Sequence, residues 1–303
     1  MSENSSPCGL LLIDKPEGIT SQGAVSRVRR LLDVRTAGHT GTLDPMATGV
    51  LPVLVGRAVK AGEFLLESDK HYRATLRLGL TTDTEDITGR VLTQSASLPT
   101  EDAVLKTASS FLGESLQIPP MYSAIRVGGR RLMELARQGV TVERTARPIT
   151  VKRLDVVRLS DSDYQLDVIC SKGTYIRTLC ADIGKKLGVG GTMAALRRME
   201  AASFPITSCH SLEELEAMPL EKRRALLIKT EELFPSAPCL TLAPFFAKLA
   251  HNGQQIYLAK IKKDYPLGTQ VRLYDSRGFF ALGEVREFES GLAIKPLKQF
   301  DIS

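Results

Sequence analysis

The sequence has little of what membrane-embedded, secreted or metal-dependent proteins need. No apolar run in its 303 residues approaches the roughly 18–20 residues of a membrane-spanning helix. The first residues are polar and show no basic-then-apolar signal pattern, so we expect a cytoplasmic protein. The five cysteines are an odd number and form no C-x-x-C pair, which favours a reducing cytosol over a disulfide framework or zinc site. The four histidines are too scattered for an H-E-x-x-H pair, and we expect no metal.

Motifs for nucleotide and hydrolase chemistry are also missing. The sequence contains neither the phosphate-binding loop G-x-x-x-x-G-K-[ST] nor the nucleophile elbow G-x-S-x-G. The stretch from Gly188 begins like the dinucleotide-binding motif G-x-G-x-x-G, but Met193 stands in place of its last glycine. Nucleotide hydrolysis, dinucleotide redox and α/β-hydrolase chemistry therefore lose support, and we expect no cofactor.

Length and apolar patterning predict two domains of the α+β class. A length of 303 residues suggests two domains at roughly 100–200 residues each. Composition shifts at residues 234–238, which we interpret as a linker between a main domain (1–235) and a small β-rich domain (239–303). In the main domain, Tyr72–Leu80 alternate as a half-buried strand, whereas residues after Ser21, a candidate helix cap, follow helical spacing. These patterns predict a mixed, mainly antiparallel sheet with flanking helices.

Positive charge is concentrated in one long excursion, residues 117–150, built around one short helix at 131–138. The net charge is +6, and the segment 117–158 alone contains nine basic and three acidic residues. The basic and acidic residues in the rest of the chain are therefore equal in number. Eight of the nine are arginines, whose planar guanidinium suits phosphate recognition. The excursion therefore indicates a nucleic-acid interface, although a solvated basic surface would show the same composition.

A few polar residues are candidates for chemistry. Asp44 lies in a glycine- and threonine-rich segment, residues 38–49, which is predicted to be a loop and would let a ligand approach a carboxylate closely. The alternative is an ordinary Asp-Pro turn. Taken singly, His39, Tyr72 and the pair Tyr175 and Arg177 are also explained by structural roles: a hydrogen-bonded histidine, a core aromatic and a surface pair.

Together, these motifs make the sequence resemble the bacterial tRNA pseudouridine-55 synthases of the TruB type. The matching segments occur in the family order and span most of residues 9–200, whereas the C-terminal part matches weakly. They are GLLLIDKPEGITS (9–21), AGHTGTLDPMATGVLPVLVGRAVK (37–60), DKHYRATLRLGLTTDTEDITG (69–89), IPPMYSAIRVGGRRLMELARQG (118–139), RPITV (147–151), CSKGTYIRTLCADIGKKLG (170–188) and LRR (196–198).

The resemblance implies both a reaction and a substrate. Uridine in the T-loop of tRNA becomes pseudouridine: the C1′–N1 bond breaks, the uracil turns, and a C1′–C5 bond forms. The base must first be flipped out of the RNA loop. The resemblance implies no cofactor, no metal and no obligatory protein partner. We expect a monomer that binds the T-arm and elbow of tRNA, with a PUA-like RNA-binding domain at the C-terminus.

Roles for single residues also follow from the resemblance. Asp44 would be the catalytic aspartate, by attack at C6, attack at C1′ or proton abstraction at C2′, and Arg177 would pair with it and keep it ionised. Tyr72 would stack on the base and transfer a proton at C5. Tyr175 and Leu196 would line the pocket. The remaining implied contacts are His39, which would fill the space that the flipped base leaves, and the arginines of the thumb insertion (117–150), including Arg126, Arg130 and Arg137.

Two other functions fit part of the sequence. A non-catalytic tRNA-binding or tRNA-folding protein would keep the basic thumb but would not need Asp44, Tyr72 and Arg177 together. A guide-RNA-dependent pseudouridylase would share the catalytic core but lack the thumb.

Overall fold

A nine-stranded sheet organises the first three-quarters of the chain. The computed structural model describes residues 7–300. Its strands run in the order β1-β3-β12-β4-β11-β10-β7, with β2 added to β3 and β13 to β12, and all neighbours are antiparallel except β3 and β12. Strands β5 with β6 and β8 with β9 form separate hairpins. The strands are β1 (Gly9–Lys15), β2 (Ala37–His39), β3 (Thr48–Val55), β4 (Lys70–Leu78), β5 (Leu80–Thr82), β6 (Val91–Gln94), β7 (Gly113–Gln117), β8 (Arg126–Val127), β9 (Arg130–Arg131), β10 (Arg147–Arg158), β11 (Asp163–Cys170), β12 (Gly191–Ala201) and β13 (Phe204–Pro205).

Helices cover this sheet and bury its apolar residues. The alternation predicted for β4 is confirmed, since Ala74, Leu76 and Leu78 are all nearly inaccessible. They pack in one core with α3 and α5, while α1 and α6 cover β1 and β3 in a second core. The helices are α1 (Ser21–Leu31), α2 (Gly62–Leu66), α3 (Glu101–Ser109), α4 (Leu132–Arg137), α5 (Ile176–Lys186), α6 (Leu212–Ala217) and α7 (Leu220–Ala225).

The C-terminal part forms a second, five-stranded sheet in the order β14-β16-β17-β18-β15. Its strands are β14 (Cys239–Thr241), β15 (Ile256–Tyr257), β16 (Gln270–Asp275), β17 (Gly278–Phe288) and β18 (Gly291–Gln299), and its helices are α8 (Pro244–His251) and α9 (Leu258–Ile261). It has a core of its own. The α+β class, the mainly antiparallel first sheet and the small β-rich C-terminal part are confirmed. Among residues 7–300, no helix combines the length and apolarity needed to cross a membrane.

Within the segment 234–238, interpreted as a linker, two apolar side chains are buried, whereas residues 235 and 236 are exposed. Phe234 is buried, and its ring contacts Phe64 edge-on at 5.4 Å as well as Phe279 and Phe300 from the C-terminal sheet. Phe279 and Phe300 stack on each other at 5.5 Å. These four rings are called the aromatic cluster below. The two sheets thus share apolar contacts, and the connection does not behave as an exposed linker.

The thumb leaves the first sheet at its edge. Strand β7 is the last strand of the sheet, and its Gln117 pairs with Arg147 of β10. Between these residues the chain forms the β8–β9 hairpin and helix α4, which lies within the helix predicted at 131–138. Leu132 and Leu135 of α4 are buried, so the thumb has a small apolar contact of its own.

Candidate active site

The loop that carries Asp44, residues 40–47, is held by the start of α1. Ser21, predicted to cap this helix, does not cap it; the hydroxyl of Thr20 accepts the bond from Gly23 N at 2.9 Å. The buried Ser21 hydroxyl donates to Leu43 O at 2.9 Å and accepts from Leu43 N at 2.8 Å. The backbone next to Asp44 is therefore fixed through both polar groups of Leu43 by a helix residue 22 positions away in sequence.

Asp44 and Arg177 are in contact across the site. Arg177 lies in the first turn of α5, and its Nε is 3.0 Å from Oδ2 of Asp44. Its other nitrogens donate to Thr84 O at 3.0 Å and Tyr122 O at 2.8 Å, and Nη1 lies 3.5 Å from the buried Asp86 carboxylate. Arg177 is only 5% exposed. One guanidinium thus connects the Asp44 loop, the 82–88 turn and the root of the thumb.

Opposing effects set the pKa of Asp44. Burial raises the pKa of Asp44 above its ordinary value, and the neighbouring Asp86 raises it further, whereas Arg177 and Lys15 lower it. Burial is the largest of these effects, so Arg177 reduces the rise but does not reverse it. The side chain of Asp44 remains one-third exposed and is accessible to a substrate.

Tyr72 and Leu196 lie on neighbouring strands beside this ion pair. Both pack in the core cluster that contains Leu43 and Met46 of the Asp44 loop. Burial raises the pKa of Tyr72, and Arg198 on the adjacent strand opposes that rise. The phenol of Tyr72 is therefore protonated at neutral pH, and its ring is placed to form an apolar wall together with Leu196.

Tyr175 is fixed by the edge strand at the base of the thumb. The side chain of Gln117 donates to Tyr175 O at 3.1 Å and accepts from Tyr175 N at 2.8 Å. The Ser123 hydroxyl is buried, has no hydrogen-bond partner within residues 7–300, and faces the phenol of Tyr175. Tyr175 thus lies between the catalytic cluster and the thumb.

His39 lies in β2, a three-residue strand within the segment predicted to be a loop. Burial and the positive charge of Arg198 lower its pKa, so its imidazole is neutral at pH 7. Its Nδ1 is buried without a hydrogen-bond partner among the described residues. A neutral, half-buried imidazole with an open hydrogen-bonding atom is suited to contact with an RNA base.

The thumb arginines lie outside this buried cluster. Arg126, Arg130 and Arg137 are exposed on the β8–β9 hairpin and α4. Arg130 donates to the Gln138 amide at 2.5 Å, and Arg126 reaches Gly129 O at 3.5 Å. None of the three forms an ion pair within the described part of the chain, which leaves their charge available to phosphates.

Three buried groups at the site were not selected from the sequence. Lys15 is fully buried, donates to Ile19 O at 2.8 Å and Pro45 O at 3.3 Å, and has a pKa lowered by burial to about 8. Asp86 holds Arg177, and Arg198 lies beside Tyr72. Lys15 and Asp86 lie inside matched segments, DKP and EDITG, and a charged residue in an apolar context is the signal that points to them.

No group of three or more His, Cys, Asp or Glu residues among residues 7–300 is arranged to hold a metal. The cluster described above consists of two carboxylates, two arginines, a lysine, two phenols and an imidazole. Its chemistry is therefore that of acid–base, nucleophilic and electrostatic catalysis.

Comparison with known proteins identifies the family. The model of the TruB family pseudouridylate synthase (N terminal domain) matches residues 29–176, and that of the tRNA pseudouridylate synthase B C-terminal domain matches residues 177–233. The chain is 42% identical to tRNA pseudouridine synthase B of Alkaliphilus oremlandii over 92% of this chain and 93% of that protein. It is also 42% identical to tRNA pseudouridine synthase B of Clostridium perfringens, over 95% and 98%.

The fold is similar to one found in solved complexes. A chain in the crystal structure of a Cbf5-Nop10-Gar1 complex superposes with a TM-score of 0.68 at 25% identity, covering 97% of this chain and 85% of that one. The similarity extends over both sheets described above. The chain therefore belongs to the TruB family of pseudouridylate synthases and is a tRNA pseudouridine synthase.

Proposed function

We propose that the protein converts uridine 55 in the T-loop of tRNA to pseudouridine, without a guide RNA. The observation that carries this proposal is the Asp44–Arg177 ion pair at the root of an arginine-rich thumb, with Arg177 bonded both to Asp44 and to Tyr122 O. The thumb and the catalytic groups belong to one chain. A single polypeptide thus has both the means to hold an RNA loop and the groups to act on one base.

Substrate binding begins at the thumb. Exposed Arg126, Arg130 and Arg137 contact phosphates of the T-loop, an interaction that reads loop shape more than duplex sequence. The target nucleotide is flipped out of the loop, which costs a few kcal/mol of stacking. His39 fills the space that the base vacates, where its neutral imidazole stacks on the neighbouring bases.

The flipped uracil enters the pocket beside Asp44. Tyr72 stacks on one face of the base, and Leu196 and Tyr175 form the remaining walls. Arg177 fixes the carboxylate of Asp44 through Nε, so that Oδ1, 3.5 Å from Nη2, is the less tightly held oxygen. We assign the reacting role to the carboxylate and the orienting role to Arg177.

The reaction exchanges one bond of the sugar for another. The C1′–N1 bond breaks, the base turns, and C1′ bonds to C5; the proton on C5 leaves, and N1 gains a proton. Atoms and electrons balance without a redox partner. Asp44 starts the sequence by attack at C6, attack at C1′ or removal of the C2′ proton, and Tyr72 takes part in proton transfer at C5.

The assembly of the protein belongs to the same proposal. Residues 1–235 form the catalytic domain, with the thumb at about 117–150, and residues 239–303 form a PUA-like RNA-binding domain. Every proposed catalytic group comes from one chain. We therefore propose a cytoplasmic monomer that requires no protein partner.

The test is a site-mapped assay on one unmodified tRNA transcript with purified protein, without guide RNA, cofactor or added metal. We expect conversion at uridine 55 alone, and a transcript with cytidine at that position serves as the substrate control. Conversion that requires a guide RNA would exclude stand-alone action. Modification at another uridine would exclude the proposed target.

The matched variant is Asp44→Asn, which keeps the shape of the side chain but removes its charge. We expect no detectable product and tRNA affinity within about threefold of the unchanged protein, because the carboxylate acts only on the reacting base. Loss of affinity together with activity would show that Asp44 has a structural role. Binding without conversion by the unchanged protein would favour a tRNA-binding or tRNA-folding function.

A further inference from the structure

Arg198 is a buried cation without a counter-ion. It is 1% exposed and stands first by volume among the fully buried side chains of residues 7–300. Its guanidinium donates from Nε to Val50 O at 2.7 Å and from Nη2 to Gly41 O at 3.1 Å, and it forms no ion pair with a carboxylate in that range. Burying an uncompensated charge is costly, so this position requires a reason beyond packing.

The sheet is built closely around Arg198. On β12 it pairs with Tyr72 of β4 on one side and with Gly49 of β3 on the other. A Cβ at Gly49 would lie 2.2 Å from Arg198 O, and one at Gly41 would lie 3.4 Å from Nη1. The glycine at position 49 therefore allows the backbone of β3 to approach that of β12, whereas a Cβ at Gly41 would make only an ordinary contact with the guanidinium.

The neighbouring Arg197 provides the contrast. Its side chain is 40% exposed, and Nη2 forms an ordinary ion pair with Asp14 at 2.7 Å. The two arginines are successive residues on one strand, so their side chains extend to opposite faces of the sheet. The pattern Leu-Arg-Arg thus contains one surface arginine and one that faces the reaction centre.

We propose that Arg198 is a positioning residue for the reaction: its guanidinium fixes the Tyr72 phenol and the Gly41 backbone, and its charge stabilises the Tyr72 phenolate. This inference rests on the proposed function. After C1′–C5 bond formation, the C5–H bond breaks, its electron pair stays in the ring, and the proton passes to the Tyr72 oxygen. The phenol has first lost its own proton to water, and that step needs a nearby positive charge.

The charges around Tyr72 support this assignment. Three groups face the phenol: Arg198 from β12, Cys170 from β11 and Asp44 from its loop. Burial, Cys170 and Asp44 all raise the pKa of Tyr72, whereas Arg198 lowers it. Burial raises the pKa of Cys170 to about 11, so this thiol is neutral at pH 7. Of the three facing groups, only Arg198 favours the phenolate.

The experiment compares Arg198→Met with the control Arg197→Met. Single-turnover pseudouridine formation on a tRNA transcript is measured between about pH 6 and 9.5, alongside tRNA affinity. We expect Arg198→Met to lower the rate by about 100-fold throughout this range, because the pKa of Tyr72 moves upward and the range lies below that pKa in both proteins. Absorbance titration of the phenols at higher pH, without RNA and with Tyr72→Phe as the reference, should show the Tyr72 transition at higher pH in Arg198→Met than in the unchanged protein. Affinity stays within about threefold, and Arg197→Met keeps the rate and profile of the unchanged protein.

A Tyr72 transition that is not moved in Arg198→Met, or an affinity lost together with the rate, would overturn the proposal in favour of a packing role. Failure of the unchanged protein to convert uridine 55 is a separate result, which would remove the proposed function itself. The two failures are therefore distinguished by the first measurement.

A second pair of variants covers the case in which Arg198→Met does not fold. Arg198→Lys keeps the charge, and we expect a reduced rate with the pH profile of the unchanged protein. We also expect Arg198→Lys to add little to the defect of Tyr72→Phe, because the arginine acts through the phenol. Additive effects in this double variant would contradict the inference.

Discussion

Asp44 is subject to two opposing effects that decide when it is ionised. Burial favours the neutral acid, while the guanidinium of Arg177 at 3.0 Å favours the carboxylate. Because burial is the larger effect, the pKa lies above the ordinary value for aspartate. A carboxylate that is poorly solvated in its ionised form is more reactive as a base or nucleophile than one in bulk water.

The pH dependence of the rate tests this balance. The proposed reaction uses Asp44 as a carboxylate, so we expect the single-turnover rate to fall as pH drops through its raised pKa. Arg177→Gln removes the charge that lowers this pKa, and we expect the acid limb to move to higher pH and the plateau to fall by about 100-fold. Arg177→Lys retains the charge and keeps the acid limb in place. An acid limb unmoved in Arg177→Gln would show that another group controls it.

At the scale of single residues, the sequence indicates the proposed reacting groups better than the side chains that support them. Asp44, Tyr72 and Arg177 could be selected because several motifs agree. Ser21 looked like a helix cap, yet its hydroxyl bonds Leu43, 22 residues away. Lys15 reaches Pro45 O across 30 residues. Local patterns do not specify which distant backbone carbonyl a buried side chain reaches, so such supports appear only in the folded chain.

Among the elements, the thumb has the clearest electrostatic consequence. Replacing Arg126, Arg130 and Arg137 together by glutamine removes three exposed, unpaired charges. We expect the slope of log affinity against log salt to decrease in magnitude by roughly 2, since each phosphate contact contributes about 0.7–0.9. Titration of a labelled tRNA at several salt concentrations measures this slope.

The control for the thumb variant removes the same charge elsewhere. Arg29, Arg30 and Arg35 are exposed at and after the end of α1. Their triple glutamine variant should leave the salt slope unchanged. An equal decrease in both triple variants would mean that net charge, and not the thumb, governs tRNA binding.

The start of β3 depends on a glycine. Gly49 has φ of +103°, and a Cβ there would meet Arg198 O at 2.2 Å. We expect Gly49→Ala to destabilise the fold by about 2 kcal/mol or more, since the strand must move away from β12. Gly268→Ala, with φ of +81° and open space around it, isolates the cost of the backbone angle. Urea unfolding measures both, and equal losses would show that crowding at Gly49 is unimportant.

The type of an element could be predicted where its periodicity is long. The prediction failed where the element is short. The alternation in β4 and the helical spacing in α5 place these elements correctly. Strand β2 has three residues inside a glycine-rich segment, too few to show a period of their own. It forms because Ala37–His39 pair with β3. Pairing, and not local preference, decides such segments.

For the whole molecule, we expect the aromatic cluster to make the two sheets unfold as one cooperative unit. Phe234→Ala removes a buried ring that contacts both, and we expect a loss of about 3–5 kcal/mol in the free energy of unfolding. Phe245→Ala removes a ring that is 67% exposed and should cost less than about 0.5 kcal/mol. We expect a single urea transition in the unchanged protein when unfolding is monitored both by circular dichroism and by tyrosine fluorescence. Two separate transitions, or a small loss for Phe234→Ala, would show that the sheets are independent.

The two ends of the thumb lie side by side at the edge of the sheet, where Gln117 pairs with Arg147. In a chain without the thumb, a short turn would connect β7 directly to β10, because these two strands are paired neighbours. The thumb can therefore be gained, lost or exchanged in one genetic event. The strands that carry Tyr72, Leu196 and Arg198 would keep their register throughout. The thumb is thus a separable unit of the chain that still touches the proposed reaction centre: its loss would remove the Tyr122 carbonyl, one of the acceptors that hold Arg177.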